Sequence, residues 1–185
     1  MDEIELRAQL EKHHSVCYGW ALNCCSHDRT EAKDVLQMAY MKVLEGKASY
    51  KGQSSFKTWF FSVIRNTAAE EWRRHWFRRL GLAKFAQEQV TASDDGEPRD
   101  MSEVSKAFRS IFAKLPGRQQ EVLHLVFYQD MSVQEASVVM GVSIGSARTH
   151  YERGKENMRK FLRHTGTEAL SSEVRECGSA EVRKF

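Results

Sequence analysis

The chain has 185 residues, 41% of them hydrophobic and 29% charged, so it is long enough for one ordinary domain or two small ones and too apolar to be disordered. Its net charge of +3 is the small difference between 28 basic and 25 acidic residues, so the distribution of charge says more than the total. Only 2 prolines and 11 glycines occur, and strand-like alternation is lacking over long stretches, which indicates helices throughout.

The N-terminus and the cysteines indicate a protein of a reducing compartment. Residues 1–10 are acidic and amphipathic, unlike a secretory signal, and the longest apolar runs are far too short to cross a bilayer. Cys17, Cys24, Cys25 and Cys177 have neither the density of a disulfide scaffold nor paired CxxC spacing. We therefore expect a cytoplasmic location.

Composition divides the chain into two helical domains, a linker and a tail. Residues 1–79 carry all four tryptophans and most of the aromatic content, which indicates a packed core. Residues 80–104 form the predicted linker, because they contain a polar, acidic stretch with turn-forming residues and no apolar spacing. Helical periodicity resumes in residues 105–163, and residues 164–185 are polar and weakly periodic, as expected for a frayed tail.

An amphipathic helix in the first domain places methionines on its outward side. The side predicted to be buried contains Val35, Leu36, Ala39, Val43 and Leu44. The outward stripe contains Asp34, Gln37, Met38, Met41 and Glu45. Methionines among polar groups suit an adaptable protein-binding surface, but they could equally fill gaps under a neighbouring helix.

A serine-bearing loop and a basic, aromatic helix follow. Trp59, Val63 and Phe60 are predicted to face the core, and Trp72 is also predicted to be structural, whereas the position of Trp76 stays open. The helix then alternates basic and aromatic residues, namely Arg65, Trp72, Arg73, Arg74, Trp76, Phe77, Arg78 and Arg79. This mixture suits a surface that holds the backbone and the bases of a nucleic-acid strand. The alternative is that the tryptophans form core and the arginines are merely solvated.

The second domain has the local pattern of a helix-turn-helix. Ser132 and Glu135 form a capping box, in which the hydroxyl meets an amide of the first turn and the carboxylate reaches back to the cap. Gly141 supplies the left-handed position that ends this helix, and Ser143 can cap the next one. The inward face of that second helix contains Ala147, Tyr151, Gly154, Met158 and Phe161. Upstream, Pro116 starts a supporting helix with an apolar face.

The outward face of the second helix suits a DNA groove. At about 100° per residue, Arg148, Thr149, Glu152 and Arg153 point away from the inward stripe. Arginine and threonine side chains can contact base edges in the major groove. The residues predicted to hold phosphates are Ser143, Ser146, His150 and Lys155. The alternative is an ordinary solvated helix face, but two capped helices joined by Gly-Val-Ser favour DNA binding.

We expect an all-α fold of two small helical domains, joined by a flexible acidic linker.

These motifs resemble extracytoplasmic-function (ECF) sigma factors. The domain that binds the minus-thirty-five promoter element is matched by Leu115-Pro116, Arg118 to Val122, Met131-Ser132, Glu135-Ala136 and Met140 to Arg148. The helix that binds the minus-ten element is matched by Thr58 to Phe60, Ile64 to Ala68, Glu70 and Arg73-Arg74. The helix with Asp34 and Gln37 is similar to the element that docks on the clamp helices of RNA polymerase, although Met38 stands where the family usually has an acid.

The resemblance implies a sigma factor that binds core RNA polymerase, directs promoter-specific transcription initiation and assists strand opening. It implies polymerase binding by Asp34, Gln37, Met38 and Met41. It implies minus-ten binding by Ser54, Ser55, Phe56, Arg65, Asn66, Arg73 and Arg74, with Asn66 and the Ser54 to Phe56 loop taking a flipped base. The implied partners are core polymerase, promoter DNA and an anti-sigma factor, which in this family is often membrane-anchored. No cofactor, metal or small-molecule substrate is expected.

Other interpretations of the sequence stay open. A free-standing helix-turn-helix regulator would bind a duplex operator without RNA polymerase. A metal sensor could use His13, Cys17, Cys24, Cys25 and His27, although their spacing is not that of a tetrahedral site. An enzyme is the weakest alternative, because the chain has no glycine-rich phosphate loop, nucleophile elbow or HExxH helix.

Overall fold

The computed structural model describes residues 3–82 and 110–164. The chain divides into two compact units, residues 1–96 and 97–185, and each unit is described by itself. All regular secondary structure in the described ranges is helical, which confirms the predicted all-α fold. No helix in these ranges is both long and apolar enough to cross a membrane.

The predicted linker and tail lie mostly outside the described residues. Of the linker, only residues 80–82 are described, and they continue the last helix of the first unit. Of the tail, only His164 is described, and it ends the last helix of the second unit.

Three helices make up the described part of the first unit: α1 (Glu3–Cys24), α2 (Arg29–Leu44) and α3 (Phe56–Leu82). Each packs against the other two. Side-chain caps fix where the last two helices begin. The Asp28 carboxylate accepts a 2.8 Å hydrogen bond from the backbone N–H of Glu31, which satisfies a free amide of the first turn of α2. The Ser55 hydroxyl accepts the backbone N–H of Thr58 at 3.1 Å in the same way at the start of α3.

The core of the first unit is centred on Trp20, which is fully buried. Its indole N–H donates a 3.0 Å hydrogen bond to the backbone carbonyl of Phe61, and the two rings stack with their centroids 5.7 Å apart. A buried indole needs such a partner, because its N–H would otherwise lose its hydrogen bond to water. The surrounding core residues are Cys17, Ala21, Ala32, Val35, Leu36, Ala39, Val43, Phe60, Phe61, Ile64 and Ala68.

The core faces of α2 and α3 differ in detail from the prediction. Leu44 is 51% exposed, because α2 ends at this residue, and Ala32 is buried at the other end of the stripe. On α3, Phe60 is buried as predicted, but Trp59 and Val63 are only half-buried. The predicted face of α3 was therefore rotated by about one residue, and Phe61 and Ile64 occupy the centre of the core.

The second unit contains α4 (Gly117–Leu123), a π-helical turn (His124–Tyr128), α5 (Val133–Met140) and α6 (Ile144–His164). Pro116 precedes α4 with φ −56°, the value that its ring imposes and that suits a helix start. The wider π turn was not predicted from the sequence. It leaves Leu125 and Val126 buried, as the apolar pattern requires.

The helix-turn-helix caps are confirmed. The Ser132 hydroxyl accepts the backbone N–H of Glu135 at 3.2 Å, and the Glu135 carboxylate accepts the backbone N–H of Ser132 at 3.0 Å. Gly141 ends α5 with a left-handed φ of 63°. The Ser143 hydroxyl accepts the backbone N–H of Ser146 at 3.1 Å at the start of α6.

The inward face of α6 packs closely on α4. Ala147, Tyr151, Gly154 and Met158 are buried as predicted. The stripe then ends on Leu162, which is fully buried, and the predicted Phe161 is only half-buried, because the last step is four residues and not three.

Candidate nucleic-acid and protein interfaces

The outward face of α6 carries the residues predicted to contact the minus-thirty-five element. Most of them are exposed, namely Ser143, Ser146, Arg148, Thr149, Glu152 and Arg153, and His150 is half-buried. The hydroxyls of Ser143 and Ser146 lie 2.9 Å apart at the helix start, and the Thr149 hydroxyl donates to the backbone carbonyl of Gly145 at 3.0 Å. The Thr149 methyl group and both lone pairs of its hydroxyl oxygen therefore stay available to a ligand.

Lys155 differs from the other residues predicted on this surface. Its side chain is only 11% exposed, and its ammonium lies 2.9 Å from the Glu152 carboxylate and 4.3 Å from the centre of the Tyr151 ring. The charge is therefore balanced within the helix by an ion pair and a cation–π contact. This position suits an internal role for Lys155 better than the predicted contact with a phosphate.

The outward stripe of α2 lines a groove of about 420 Å³. Asp34, Gln37 and Met41 are exposed, and Met38 is half-buried, so neither methionine fills the core under another described helix of this unit. The opposite wall of the groove comes from α3 and contains Glu71, His75 and Arg78. This wall was not predicted from the sequence. Its residues recur at spacings of four and three, a signal that marks one helix face but does not say what that face meets.

An ion pair fixes α2 against α3 beside this groove. The Lys42 ammonium lies 2.7 Å from the Glu70 carboxylate and donates a 3.1 Å hydrogen bond to the Thr67 hydroxyl. Both charged side chains are partly exposed, so the pair contributes at most about 1 kcal/mol to stability.

The loop before α3 carries three residues predicted to bind the minus-ten element. Ser55 is exposed and caps α3, and Ser54 is half-buried, with its carbonyl accepting the Tyr50 hydroxyl at 2.6 Å. Phe56 is 8% exposed, and its ring meets the edge of Tyr50 at a centroid distance of 5.7 Å. The Phe56 ring is thus part of the core, and the two serines form the accessible part of the loop.

The remaining minus-ten candidates lie along α3. Asn66 and Arg73 are exposed, and Arg65 is half-buried. Arg74 is 68% exposed and pairs with Glu71 at 2.9 Å. Residues 66 and 73 are seven positions apart and therefore share one face of the helix.

The tryptophans of α3 contradict one prediction. Trp72, which was predicted to be structural, is 61% exposed, and Trp76 is 50% exposed. The buried tryptophan of the unit is Trp20, in α1.

The histidines and cysteines weighed as metal ligands do not converge in the described part of the first unit. Burial raises the pKa of both the Cys17 and the Cys25 thiol to about 12, and it lowers the pKa of His13, whose ring stacks on Phe56. Within residues 3–82 and 110–164, no three histidine, cysteine or acidic side chains converge, and the metal-sensor alternative gains no support.

The capped helix-turn-helix places the chain among helical DNA-binding proteins, and comparison with known families identifies which ones. Residues 10–78 match the family model described as Sigma-70 region 2, and residues 105–158 match the one described as Sigma-70, region 4. The two matches together cover about two thirds of the chain. The chain therefore belongs to the sigma-70 family, as the resemblance predicted.

Two similar proteins of known family agree with this assignment. The chain is 29% identical over 153 residues to the ECF RNA polymerase sigma factor SigX of Bacillus subtilis, covering 80% of this chain and 79% of that protein. It is 28% identical over 144 residues to the RNA polymerase sigma factor YlaC of the same organism, covering 74% and 80%. The protein is a sigma factor, which binds core RNA polymerase and directs promoter-specific transcription initiation. None of these similarities favours a free-standing regulator.

Two solved structures share the fold. One is the sigma factor RpoE in complex with the anti-sigma factor NepR from Bartonella quintana, with a TM-score of 0.68, 19% identity and coverage of 86% of this chain and 97% of that one. The other is CnrH in complex with the cytosolic domain of CnrY, with a TM-score of 0.56, 22% identity and coverage of 85% and 87%.

Proposed function

We propose that three surfaces of the described units divide the work of this sigma factor. The α2 stripe would dock on core polymerase, the loop before α3 and the face with Asn66 would bind the minus-ten element, and the outward face of α6 would bind the minus-thirty-five element. The observation that carries the proposal is the α6 face, where Arg148 and Arg153 are exposed on a helix with a capped start. A helix held in this way can present its N-terminal half to the major groove.

The minus-thirty-five contacts are proposed in two groups. Arg148, Thr149, Glu152 and Arg153 would contact base edges, because these side chains project from the face opposite the core stripe. Ser143, Ser146 and His150 would contact phosphates near the helix start and side, where backbone amides and the helix dipole also favour an anion.

Lys155 is proposed as a positioning residue for Glu152. The ion pair at 2.9 Å restrains a carboxylate that would otherwise sample many rotamers. A restrained glutamate on a recognition helix can accept a hydrogen bond from the amino group of a cytosine. Its negative charge is repelled by the phosphate backbone. Lys155 therefore would act on base preference through Glu152, without touching DNA.

The polymerase contact is proposed for both walls of the groove between α2 and α3. Asp34 and Gln37 supply polar contacts, and Met38 and Met41 supply adaptable apolar surface. Flexible thioethers can fill an irregular surface, so a methionine where the family usually carries an acid would make this contact more apolar.

The minus-ten contact is proposed for Ser54, Ser55, Arg65, Asn66, Arg73 and Arg74. The serine hydroxyls and the Asn66 amide can each donate and accept a hydrogen bond, as recognition of an unpaired base requires. The arginines would contact phosphates. Phe56 would position the loop from the core side, since its ring is buried.

The domain limits are proposed as residues 1–79, 80–104, 105–163 and 164–185, and the matched ranges 10–78 and 105–158 support them.

An anti-sigma factor is a further proposed partner, because a similar structure was solved as a complex of a sigma factor with an anti-sigma factor. The proposed location is the cytoplasm, where the polymerase is.

Run-off transcription tests the α6 assignment. Promoters would be selected with core polymerase and the full chain, and Arg148→Ala or Arg153→Ala would then be compared with Lys160→Ala. The control removes the same charge from the far end of α6. If the contacts are bidentate, the first two variants lose about 1–3 kcal/mol of minus-thirty-five affinity. If Lys160→Ala lost as much minus-thirty-five affinity, only the net charge of α6 would matter. Tight binding of duplex DNA without core polymerase would favour the free-standing regulator.

A further inference from the structure

The methionines of the described ranges differ greatly in exposure. Met41 is 50% exposed and Met38 is half-buried, and both line the groove between α2 and α3. The other three methionines in these ranges, Met131, Met140 and Met158, are at most 4% exposed. Because oxidation requires access to the sulfur, a dissolved oxidant reaches the two thioethers on the α2 stripe before these three.

The same two thioethers supply the accessible apolar surface of the groove. Of the residues that line it, only Val35, Met38 and Met41 are apolar, and Val35 is fully buried. The other lining residues are charged or polar, namely Glu31, Asp34, Gln37, Glu71, His75 and Arg78. A partner that makes an apolar contact in this groove must therefore make it with the methionines.

Cysteine is the other side chain that oxidants attack, but two thiols of the first unit are protected. A peroxide reacts with the thiolate and not with the thiol. Burial raises the pKa of the Cys17 and Cys25 thiols to about 12, so almost no thiolate is present at neutral pH. A thioether has no proton to lose, so no such pKa limits its reactivity.

We propose that Met41 and Met38 form a reversible oxidation site, at which a hydroperoxide weakens the docking of this sigma factor on core polymerase. This inference rests on the proposed docking role of the α2 stripe and adds a means of regulating it. The thioether sulfur attacks the terminal oxygen of the peroxide, so that a sulfur–oxygen bond forms and the O–O bond breaks. The proton of the attacked oxygen passes to the leaving oxygen, which departs as water or an alcohol.

The product of this step is methionine sulfoxide. The sulfur has lost two electrons and the peroxide has gained them, and a methionine sulfoxide reductase can reverse the change. A surface that fits a thioether offers no donor to the sulfoxide oxygen. Burial of a polar group without a hydrogen-bond partner should weaken polymerase binding about 5- to 150-fold. Both side chains lie on the outward stripe of α2, so the urea transition of the first unit should stay unchanged.

Peroxide titration of the full chain tests the proposal. Peptide mass spectrometry would locate each added oxygen, and the affinity for core polymerase would be measured on the same samples. We expect affinity to fall in step with oxidation of Met41 and Met38, and methionine sulfoxide reductases to restore it. In a Met38→Leu, Met41→Leu variant, peroxide should leave the affinity at its untreated value. Met131→Leu makes the same exchange at a buried methionine and should remain as sensitive as the native chain.

Met41→Gln separates this proposal from the one on which it rests. Glutamine places a polar group on the α2 stripe and should weaken core binding without any oxidant. If it does, but peroxide weakens core binding equally in the leucine variant or not at all, only the oxidation site is wrong. Loss of affinity that follows oxidation of Cys24 would overturn it in the same way. If Met41→Gln leaves core binding unchanged, the docking role of the stripe fails, and the oxidation site fails with it.

Discussion

A methyl group added at Gly154 should destabilise the second unit. The new Cβ would lie 3.0 Å from Leu123 Cδ1, 3.2 Å from Leu123 Cγ and 3.3 Å from Gln119 Cβ. Carbon atoms normally approach to about 3.5–4.0 Å, so all three contacts are too short. Leu123 is 1% exposed and has little room to move, and the Gln119 Cβ moves only with the backbone of α4.

The expected size follows from two opposing effects. Overpacking of a buried site costs about 1–3 kcal/mol. Alanine instead of glycine inside a helix contributes about 0.5–1 kcal/mol in the opposite direction. Gly154→Ala should therefore lower the free energy of unfolding by about 1 kcal/mol, and the limits that remain after the helical preference is subtracted are about 0 and 2.5 kcal/mol. Gly145→Ala is the matched control, because its Cβ would meet only the Ser143 hydroxyl oxygen, at 3.9 Å. It should be neutral or slightly stabilising.

Two optical signals can assign the effect to the correct unit. All four tryptophans, at positions 20, 59, 72 and 76, belong to the first unit, so tryptophan fluorescence reports its unfolding alone. Circular dichroism reports the helices of both units. In urea, Gly154→Ala should shift only the transition seen by circular dichroism. The packing argument would be refuted if Gly154→Ala stabilised the second unit. It would also be refuted if Gly154→Ala lowered the free energy of unfolding equally in the native protein and in a Leu123→Ala variant.

Three further predictions concern single side chains. Ser132→Ala removes the cap of α5 and should cost about 1 kcal/mol by urea unfolding. Lys155→Met should relax base preference at one minus-thirty-five position and leave the salt dependence of DNA binding unchanged. Loss of a phosphate contact would instead reduce the slope of log binding constant against log salt concentration by about 1. Because the folded state raises the pKa of Cys17 and Cys25 from 9.0 to about 12, the stability of the first unit should fall as the pH rises between these values, and the double alanine variant should lose less.

Local signals in the sequence predicted the helix-turn-helix in detail. The capping box, the left-handed Gly141 and the Ser143 cap each depend on residues within three or four positions of one another, so the sequence contains the whole interaction. The inward stripe of α6 was predicted almost to its end for the same reason, because it is set by helical spacing.

Features that depend on other helices were predicted less well. Helical spacing shows that a stripe exists, but the partner helix decides which of two adjacent stripes is buried. Trp20 occupies the core of the first unit and Trp72 is exposed, although the two side chains are equally apolar. Lys155 has the sequence position of a surface cation, and only its contacts with Glu152 and Tyr151 give it a different role. The π turn after α4 carries no local signal of its own.

The proposed binding stripes share their helices with the core stripes, and this arrangement has a physical consequence. On α2, Val35 and Leu36 are buried next to the exposed Asp34 and Gln37, so packing of the core fixes the direction of the docking side chains. On α6, Tyr151 is buried next to the exposed Glu152 in the same way. A surface held by its own core loses little conformational entropy when it binds, and more of the contact energy is then available for affinity. Substitutions within these exposed stripes should thus weaken binding while leaving the unfolding transitions unchanged.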